Sequence, residues 1–463
     1  MSSSITSMID SYFEVTERGS NIKTEIIAGL TTFMTMAYIL FVNPAILSAA
    51  GMPAEGVVTA TALSAGLASI LMGIYARAPF ALAPGMGLNG YFAFVVTPLI
   101  ASALAARGIE GHEPWQVALA AVFIEGIVFI VLSITRFREE VANSIPPSIK
   151  YATGAGIGLF LTLIGLNSID FVGPAGPAEM GVGINVEMLT SPPVLIAAVF
   201  TLAAGILMAL GVPGALLLSI IGAMIVGWIL GVSEPPGQIV STPSFEASLK
   251  IDLAGLLSMG PAIAVAIVFT FFMVDFFDTL GTLTGLAAKA GMMDRDGKIP
   301  GVSKMLLSDA VGTTVGALLG TSTVTTYIES AAGIQSGGRT GLTAVVVGAL
   351  FLLGLIFTPI LASTPAYATV PALVIVGVLM MSTLKNIDLD DPTEAIPAVL
   401  VLAGIPFTFS IADGLGLGFI SYVALKAATG RMKEVNPILV VVALLFLVYF
   451  ASLPSIHGFI AGG

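Results

Sequence analysis

The sequence predicts an all-α polytopic membrane protein built from two inverted repeats of seven transmembrane segments. Three observations predict it. The chain of 463 residues is 56% hydrophobic and only 10% charged, whereas soluble domains carry about 25% charged residues. Its apolar residues gather in runs near the roughly 20 residues that span a bilayer as helix. Short motifs also recur in the same order in the two halves of the chain.

Taken in order, residues 1–24 are polar and lack the apolar core and cleavage site of a secretory signal. Long apolar runs follow at 26–47, 56–76, 116–135, 150–167, 192–210, 213–231, 261–286, 303–319, 341–362, 366–384, 395–411, 412–428 and 436–453. Two further stretches are too short or too polar for ordinary spans. One is 78–96, with Pro79, Pro84, Gly85, Gly87, Asn89 and Gly90. The other is 320–338, with five Ser or Thr in 321–326, then Glu329, Gly333, Gly337 and Gly338. Both read as broken helices, which a membrane tolerates only where the backbone is buried in protein or lines a cavity. A pair of interrupted segments in matching halves points to a transport site.

The halves match at several places. Ala203-Ala204-Gly205-Ile206 precedes one turn and Ala403-Gly404-Ile405-Pro406 another. Tyr151-Ala152-Thr153 opens one apolar run and Tyr367-Ala368-Thr369 opens a second. Gly126-Ile127-Val128 and Gly348-Ala349-Leu350 lie on the runs before them. The repeats therefore cover about 26–231 and 261–428, and an odd number of segments inverts the second copy. The run 436–453 exceeds this scheme, as an extra span or a helix lying against the bundle.

Charge sets the expected orientation. Arg18, Lys23, Arg77, Arg136, Arg138, Lys150, Lys289, Arg295, Lys298, Lys304, Arg339, Lys385, Lys426, Arg431 and Lys433 fall on one side. The opposite loops, such as 167–192, are nearly free of Lys and Arg. The positive-inside rule then places the N-terminus in the cytoplasm. Composition also excludes several functions. With Cys 0 there are no disulfides, iron–sulfur clusters or thiolate metal sites, and His112 and His457 form no imidazole cluster. No basic patch points to nucleic acid, and nothing calls for a cofactor or a bound metal.

Acids inside apolar helices mark the expected site. Each costs roughly 2.5–3.5 kcal/mol at membrane depth on insertion scales. Asp275 and Asp278 lie in the run 261–286, three apart and so on one helix face, beside Phe271, Phe272, Phe276 and Phe277. An acid there either meets a solute or caps a neighbouring half-helix. Glu329 follows a Thr-rich break, where freed backbone groups can meet a polar solute or the carboxyl can make a structural hydrogen bond. Asp309 lies five residues after Lys304, which is not a helical pairing distance, so it is a structural partner or supports Glu329. In 83–92 the glycines allow close backbone approach. A half-helix beginning there aims a positive dipole end into the cavity. Asn89 can offer its amide to a heterocycle or bridge helices. Thr31, Thr32 and Thr35 share a face, although threonines also bond back to their own helix.

Four motifs carry a family resemblance. Gly29-Leu30-Thr31-Thr32-Phe33-Met34-Thr35-Met36-Ala37-Tyr38-Ile39-Leu40, with Asn43-Pro44, resembles the first span of azaguanine-type purine permeases. These are a branch of the nucleobase/ascorbate transporter (nucleobase cation symporter-2) superfamily. The second motif is Ala83-Pro84-Gly85-Met86-Gly87-Leu88-Asn89-Gly90-Tyr91-Phe92, with Gly90 where many members have Ala. The third is Phe276-Phe277-Asp278-Thr279-Leu280-Gly281-Thr282. The fourth is Thr325-Thr326-Tyr327-Ile328-Glu329-Ser330-Ala331-Ala332-Gly333, with Gly337-Gly338-Arg339-Thr340-Gly341.

The resemblance implies fourteen segments as two inverted repeats of seven, the third and tenth beginning as short strands that continue as half-helices. It implies an N-terminus at 1–25, a core from 26–140 and 255–362, a gate from 141–235 and 363–430, and a C-terminal helix and tail at 431–463. It implies import of a purine nucleobase across the plasma membrane by proton symport, commonly as a dimer, with lipid around it. By position, Asp278 matches the substrate-binding acid of the eighth segment, Glu329 the binding residue of the tenth and Asp309 the acid of the ninth. Thr35, Gly87, Asn89, Thr282, Thr326 and Tyr327 lie in the same motifs and complete the expected binding set. Glu329, then Asp309 and Asp275, are the expected proton carriers.

The chemistry of a purine agrees, since carboxylates accept its ring N–H groups and half-helix N–H groups reach its acceptors. Sodium coupling stays open, because the hydroxyls of 321–326 can bind that ion. An anion carrier for sulfate or bicarbonate is a rival reading, set against acids where a positive or neutral cavity is needed. An intramembrane aspartyl protease needs a Gly-x-Gly-Asp string, and none of Asp275, Asp278 and Asp309 follows one.

Overall fold

Apolar length sets the architecture. Most of the chain is helix, and ten stretches among the described residues are long and apolar enough to cross a membrane. The computed structural model describes residues 2–134, 145–175, 181–293 and 299–460. Arg136, Arg138, Arg295, Lys298 and the expected 140/141 domain boundary lie outside them.

Helix α1 (Ser2–Phe13) precedes α2 (Ile22–Met36), which Asn21 caps by accepting from Thr24 N. The run expected at 26–47 is bent. Leu40 N donates to Ala37 O at 3.1 Å and Phe41 N to Tyr38 O at 3.0 Å, so a tighter turn separates α2 from α3 (Ile39–Ser48). Then come α4 (Ala54–Leu71), strand β1 (Leu82–Pro84), α5 (Met86–Tyr91), α6 (Thr97–Ala106) and α7 (Pro114–Ile134). One π turn, Phe92–Val96, joins α5 to α6, so the first interrupted segment runs on past its expected end at 96.

Helix α8 (Pro147–Asn167) leads to strands β2 (Val172–Ala175) and β3 (Gly181–Ile184), which pair antiparallel. This hairpin departs from the expectation of helices with two short strands at the site alone. Its Gly and Pro read as loop in the sequence, and its strands hold each other rather than a larger sheet. Next come α9 (Pro192–Ala209), α10 (Ala215–Ile229), α11 (Leu253–Ser258), α12 (Pro261–Lys289) and α13 (Val302–Leu319). Strand β4 (Val324–Thr326) and α14 (Ser330–Gln335) form the second interrupted segment. The chain closes with α15 (Gly341–Leu353), α16 (Thr358–Ala362), α17 (Ala366–Met381), α18 (Pro392–Thr408), α19 (Ile411–Ala428) and α20 (Pro437–Ile460). Helix α20, the run beyond the repeat scheme, packs on α19 and α6.

Glycine fixes how closely the helices approach. Helix α4, with the π turn Met72–Ala76 that continues it, crosses α15 where Gly66 meets Gly348 and Gly73 meets Gly341, and a Cβ at any of these runs into opposing backbone or side chain. Helices α8 and α17 cross at Gly158 and Gly377 in the same way. Small residues let membrane helices pack by direct backbone contact. Helices α2, α4, α7, α12, α13 and α15 chiefly contact one another, and so do α8, α9, α10, α17, α18 and α19.

Between these sets the two interrupted segments meet. β1 and β4 pair antiparallel, with Leu82 opposite Thr326, Ala83 opposite Thr325 and Pro84 opposite Val324. Gly85 N donates to Thr323 O and Tyr327 N to Ala81 O, each at 2.9 Å, extending the ladder at both ends. All six strand residues are buried, and pairing satisfies backbone groups that water cannot reach. Each strand then hands the chain to a helix of six residues, α5 or α14.

Candidate functional site

Beside the paired strands lies a cavity of about 1020 Å³, lined in part by Thr325 and Thr326 of β4. Its inner part is lined by Tyr38 from the bend after α2, Gly87 from α5, Asp278 and Thr282 from α12, and Thr326, Tyr327 and Glu329 around β4. The lining also includes Lys150 and Tyr151 of α8, and Ile299, Pro300 and Asn386 at helix ends.

Glu329 sits at the N-cap position of α14, brought there by the strand before it. Tyr38 Oη donates to Glu329 Oε1 at 2.6 Å, so the bend in the first span and the second interrupted segment are joined at the cavity. Tyr327 Oη donates to Pro84 O at 2.5 Å and ties β4 to β1 a second time. Ser330 Oγ accepts from Ala81 N at 3.0 Å. Asp278 reaches the same space from the middle of α12. Two carboxyl groups from separate elements therefore face one cavity beside two phenols. Such a set can accept N–H hydrogen bonds and exchange protons.

The other expected residues divide. Gly87, Thr282, Thr326 and Tyr327 line the cavity with Asp278 and Glu329. A Cβ on Gly87 would run into Ile157 of α8, so this glycine sets the closeness of α5 and α8. Thr35 does not line the cavity; its Oγ1 donates back to Thr32 O at 2.8 Å and lies 3.5 Å from Glu329 O. Asn89 is fully buried away from it, with Nδ2 donating to Pro84 O at 3.4 Å and Oδ1 accepting from Ser322. It braces the two interrupted segments. Asp275 and Asp309 lie behind the lining, buried and joined through Thr279.

Tyr38 lines the site without being among the expected residues. Its signal was present, as a polar aromatic inside an apolar run just before Asn43-Pro44. A buried tyrosine needs a partner for its hydroxyl. That the partner is Glu329, far along the chain, follows only from the bend.

A model of the Permease family (Xan_ur_permease) matches residues 23–417, which includes all four motifs and every cavity residue named above. The chain belongs to this permease family. The adenine permease AdeP of Escherichia coli is 41% identical to it, over 95% of each chain. The guanine/hypoxanthine permease PbuO of Bacillus subtilis is 40% identical, over 94% of this chain and 99% of PbuO. Among solved structures, the transmembrane domain of the cyanobacterial bicarbonate transporter BicA superposes with a TM-score of 0.61, covering 87% of this chain and 97% of that one. At 17% identity this likeness shows a shared membrane-transporter fold alone. The permease is thus a multi-pass membrane transporter rather than an enzyme.

Proposed function

We propose that the permease carries purine nucleobases across the membrane together with protons, by alternating access. One observation carries the reading: Asp278 and Glu329, from separate elements, face one cavity beside Tyr38 and Tyr327. A neutral purine offers ring N–H groups to the carboxylates and acceptor nitrogens to cavity backbone N–H groups. The relatives named for adenine and for guanine and hypoxanthine support the substrate class. Two acids at one cavity oppose an anion as cargo.

The fourteen-segment inverted repeat belongs to this reading. It is supported by the antiparallel pairing of β1 with β4, and by Tyr151 and Tyr367 opening α8 and α17, which pack together. The two mutually packed sets of helices support a core of 26–140 and 255–362 moving against a gate of 141–235 and 363–430. In this reading the cavity opens past Lys150, Pro300 and Asn386, which line it. In the proposed orientation this mouth and the N-terminus face the cytoplasm of a cell whose plasma membrane holds the protein. Helix α9 exposes Leu195, Val199, Leu202 and Ile206, an apolar face for lipid or for the second copy of a dimer.

The test is uptake of labelled adenine, guanine and hypoxanthine by proteoliposomes holding the purified protein. Uptake of at least one base, blocked by excess of the same unlabelled base, is expected. Uptake of sulfate or bicarbonate with no response to any purine overturns the proposal.

A further inference from the structure

One charged side chain of the cavity takes no part in receiving the base. Among the described residues, the charged groups lining the cavity are Asp278, Glu329 and Lys150. The two acids come from α12 and from the N-cap of α14, and the cation comes from α8, in the other packed set of helices. Lys150 is the fourth residue of α8, seven before Ile157, which stands against Gly87 of the inner lining. Seven residues of helix rise about 10 Å. Helical side chains lean toward the helix start. The ammonium therefore stands on the Pro147 side of Ile157, at the mouth in the reading above.

Lys150 is placed where a cation is costly. The first turn of a helix is the positive end of its dipole. The side chain is half-buried. Glu394, which accepts from Ser148 two residues before Lys150, is paired with Lys426 at 2.9 Å. Asp391 is paired with Arg431 at 2.6 Å. Among the described residues, no acid forms an ion pair with Lys150 itself.

The cavity supplies a use for it. Ile157, Val376, Leu379, Met380, Val302 and Leu306 give the cavity apolar walls. Like charges between low-dielectric walls focus their field and raise the local concentration of counter-ions by roughly 10–10³-fold. Screening by salt is weaker there than in open water. With two carboxyls alone, such a cavity would gather metal cations in competition with the base. A cation at the entrance opposes this. A neutral purine passes it at little cost. A proton arrives along water and binds a carboxylate covalently. K⁺ or Na⁺ must bring its whole charge past the ammonium and give up its hydration.

We infer that Lys150 is a charge filter, which keeps K⁺ and Na⁺ from Asp278 and Glu329 so that these acids meet only the base and protons. The inference rests on the purine and proton reading above and adds a selectivity residue on α8, opposite the acids. Lys150 acts through its field and does not touch the base.

The test uses the intact permease. The chain has Cys 0, so Lys150→Cys carries a single thiol. One thiol reagent adds an aminoethyl group and restores the cation, and another adds a sulfonatoethyl group and places an anion there. Labelled hypoxanthine and adenine are the probes. Their binding is measured in KCl and in N-methylglucamine chloride, at one pH and one ionic strength. Wild type, Lys150→Arg and the aminoethyl form should bind equally well in both salts. The unmodified Cys and sulfonatoethyl forms should bind about tenfold more weakly in KCl and recover in N-methylglucamine. Equal response to K⁺ in the two modified forms overturns the inference. Binding lost from the Cys form in both salts would place Lys150 in the base site and overturn it as well.

Melting temperature gives a readout that needs no purine. A cation bound to the native state stabilises it. Replacing N-methylglucamine with K⁺ should raise the melting temperature of the sulfonatoethyl form and leave the aminoethyl form unmoved. If wild type binds no purine at all, the proposed function fails and melting alone decides the filter. A rise confined to the sulfonatoethyl form then upholds it, and equal behaviour of the two forms overturns it.

Discussion

At the scale of single residues, the account stands on Asp278, Glu329 and Tyr38. Truncating one partner of a buried, hydrogen-bonded charged contact costs roughly 2–5 kcal/mol of binding. Asp278→Ala and Glu329→Ala should therefore abolish measurable binding of labelled purine to folded, membrane-inserted protein. Unchanged affinity in either removes that residue from the site. Tyr38→Phe deletes only the hydroxyl that donates to Glu329. Hydrogen bonds to charged groups contribute about 1.5–3 kcal/mol. Affinity should fall by roughly tenfold or somewhat more, with the protein still folded. The two acids were legible in the sequence because charge inside an apolar run is conspicuous. The partnership of Tyr38 with Glu329 was not, because only the folded chain brings the two near. Asn89 and Thr35 looked alike as polar residues of matching motifs, yet their partners are backbone and neighbouring side chains rather than cavity space.

At the scale of elements, the interrupted segments were recognisable from Pro, Gly and Ser/Thr density, but their pairing was not. Strands of three residues carry no periodicity to read, and the β1–β4 register joins residues some 240 positions apart. The close packing of α14 on α2 depends on Gly333, where a Cβ would run into Thr32 Oγ1 and Ala28 O. Overpacking of this kind costs typically about 1–3 kcal/mol. Gly333→Ala should lower the melting temperature and disturb Glu329 at the other end of the same short helix.

A second element-scale feature is the charged clasp at the end of α19. Lys426, fully buried, lies 2.9 Å from Glu394 and 2.7 Å from Glu434, while Arg431 lies 2.6 Å from Asp391. Hydrogen bonds from Arg431 hold the carboxyls of Asp391 and Glu434 down at about 2. Carboxyls lowered by folding stabilise the fold above their ordinary range, and this stability is lost as pH falls toward their folded values. The difference in melting temperature between wild type and Arg431→Ala should therefore be constant near neutral pH. It should shrink once the pH drops below about 4, the ordinary carboxyl range. A difference that grew on acidification would show that the clasp acts otherwise.

At the scale of the whole molecule, apolar runs and charge bias made the membrane class legible. What they missed, the bend at Tyr38, the extension of α6 and the β2–β3 hairpin, are features made by tertiary contacts or by Gly-rich loop sequence. The proposed movement of core against gate makes a test possible because the chain has Cys 0. A Cβ at Gly90 of α5, in the proposed core, would stand 3.1 Å from Ile164 of α8, in the proposed gate. Cysteines at Gly90 and Ile164 joined by a short cross-linker should stop transport while base binding persists. Full transport with a verified cross-link rules out relative movement at this contact.

The central claim is that the buried acids couple a purine to protons. The most direct measurement is accumulation of labelled hypoxanthine and adenine in proteoliposomes under imposed gradients. An inward proton gradient should drive base above its external concentration, by about tenfold per pH unit for one proton per neutral base. A sodium gradient at equal pH should give equilibration only. Accumulation driven by sodium at equal pH, with no response to the proton gradient, would contradict the account and move the coupling site to the hydroxyls of 321–326.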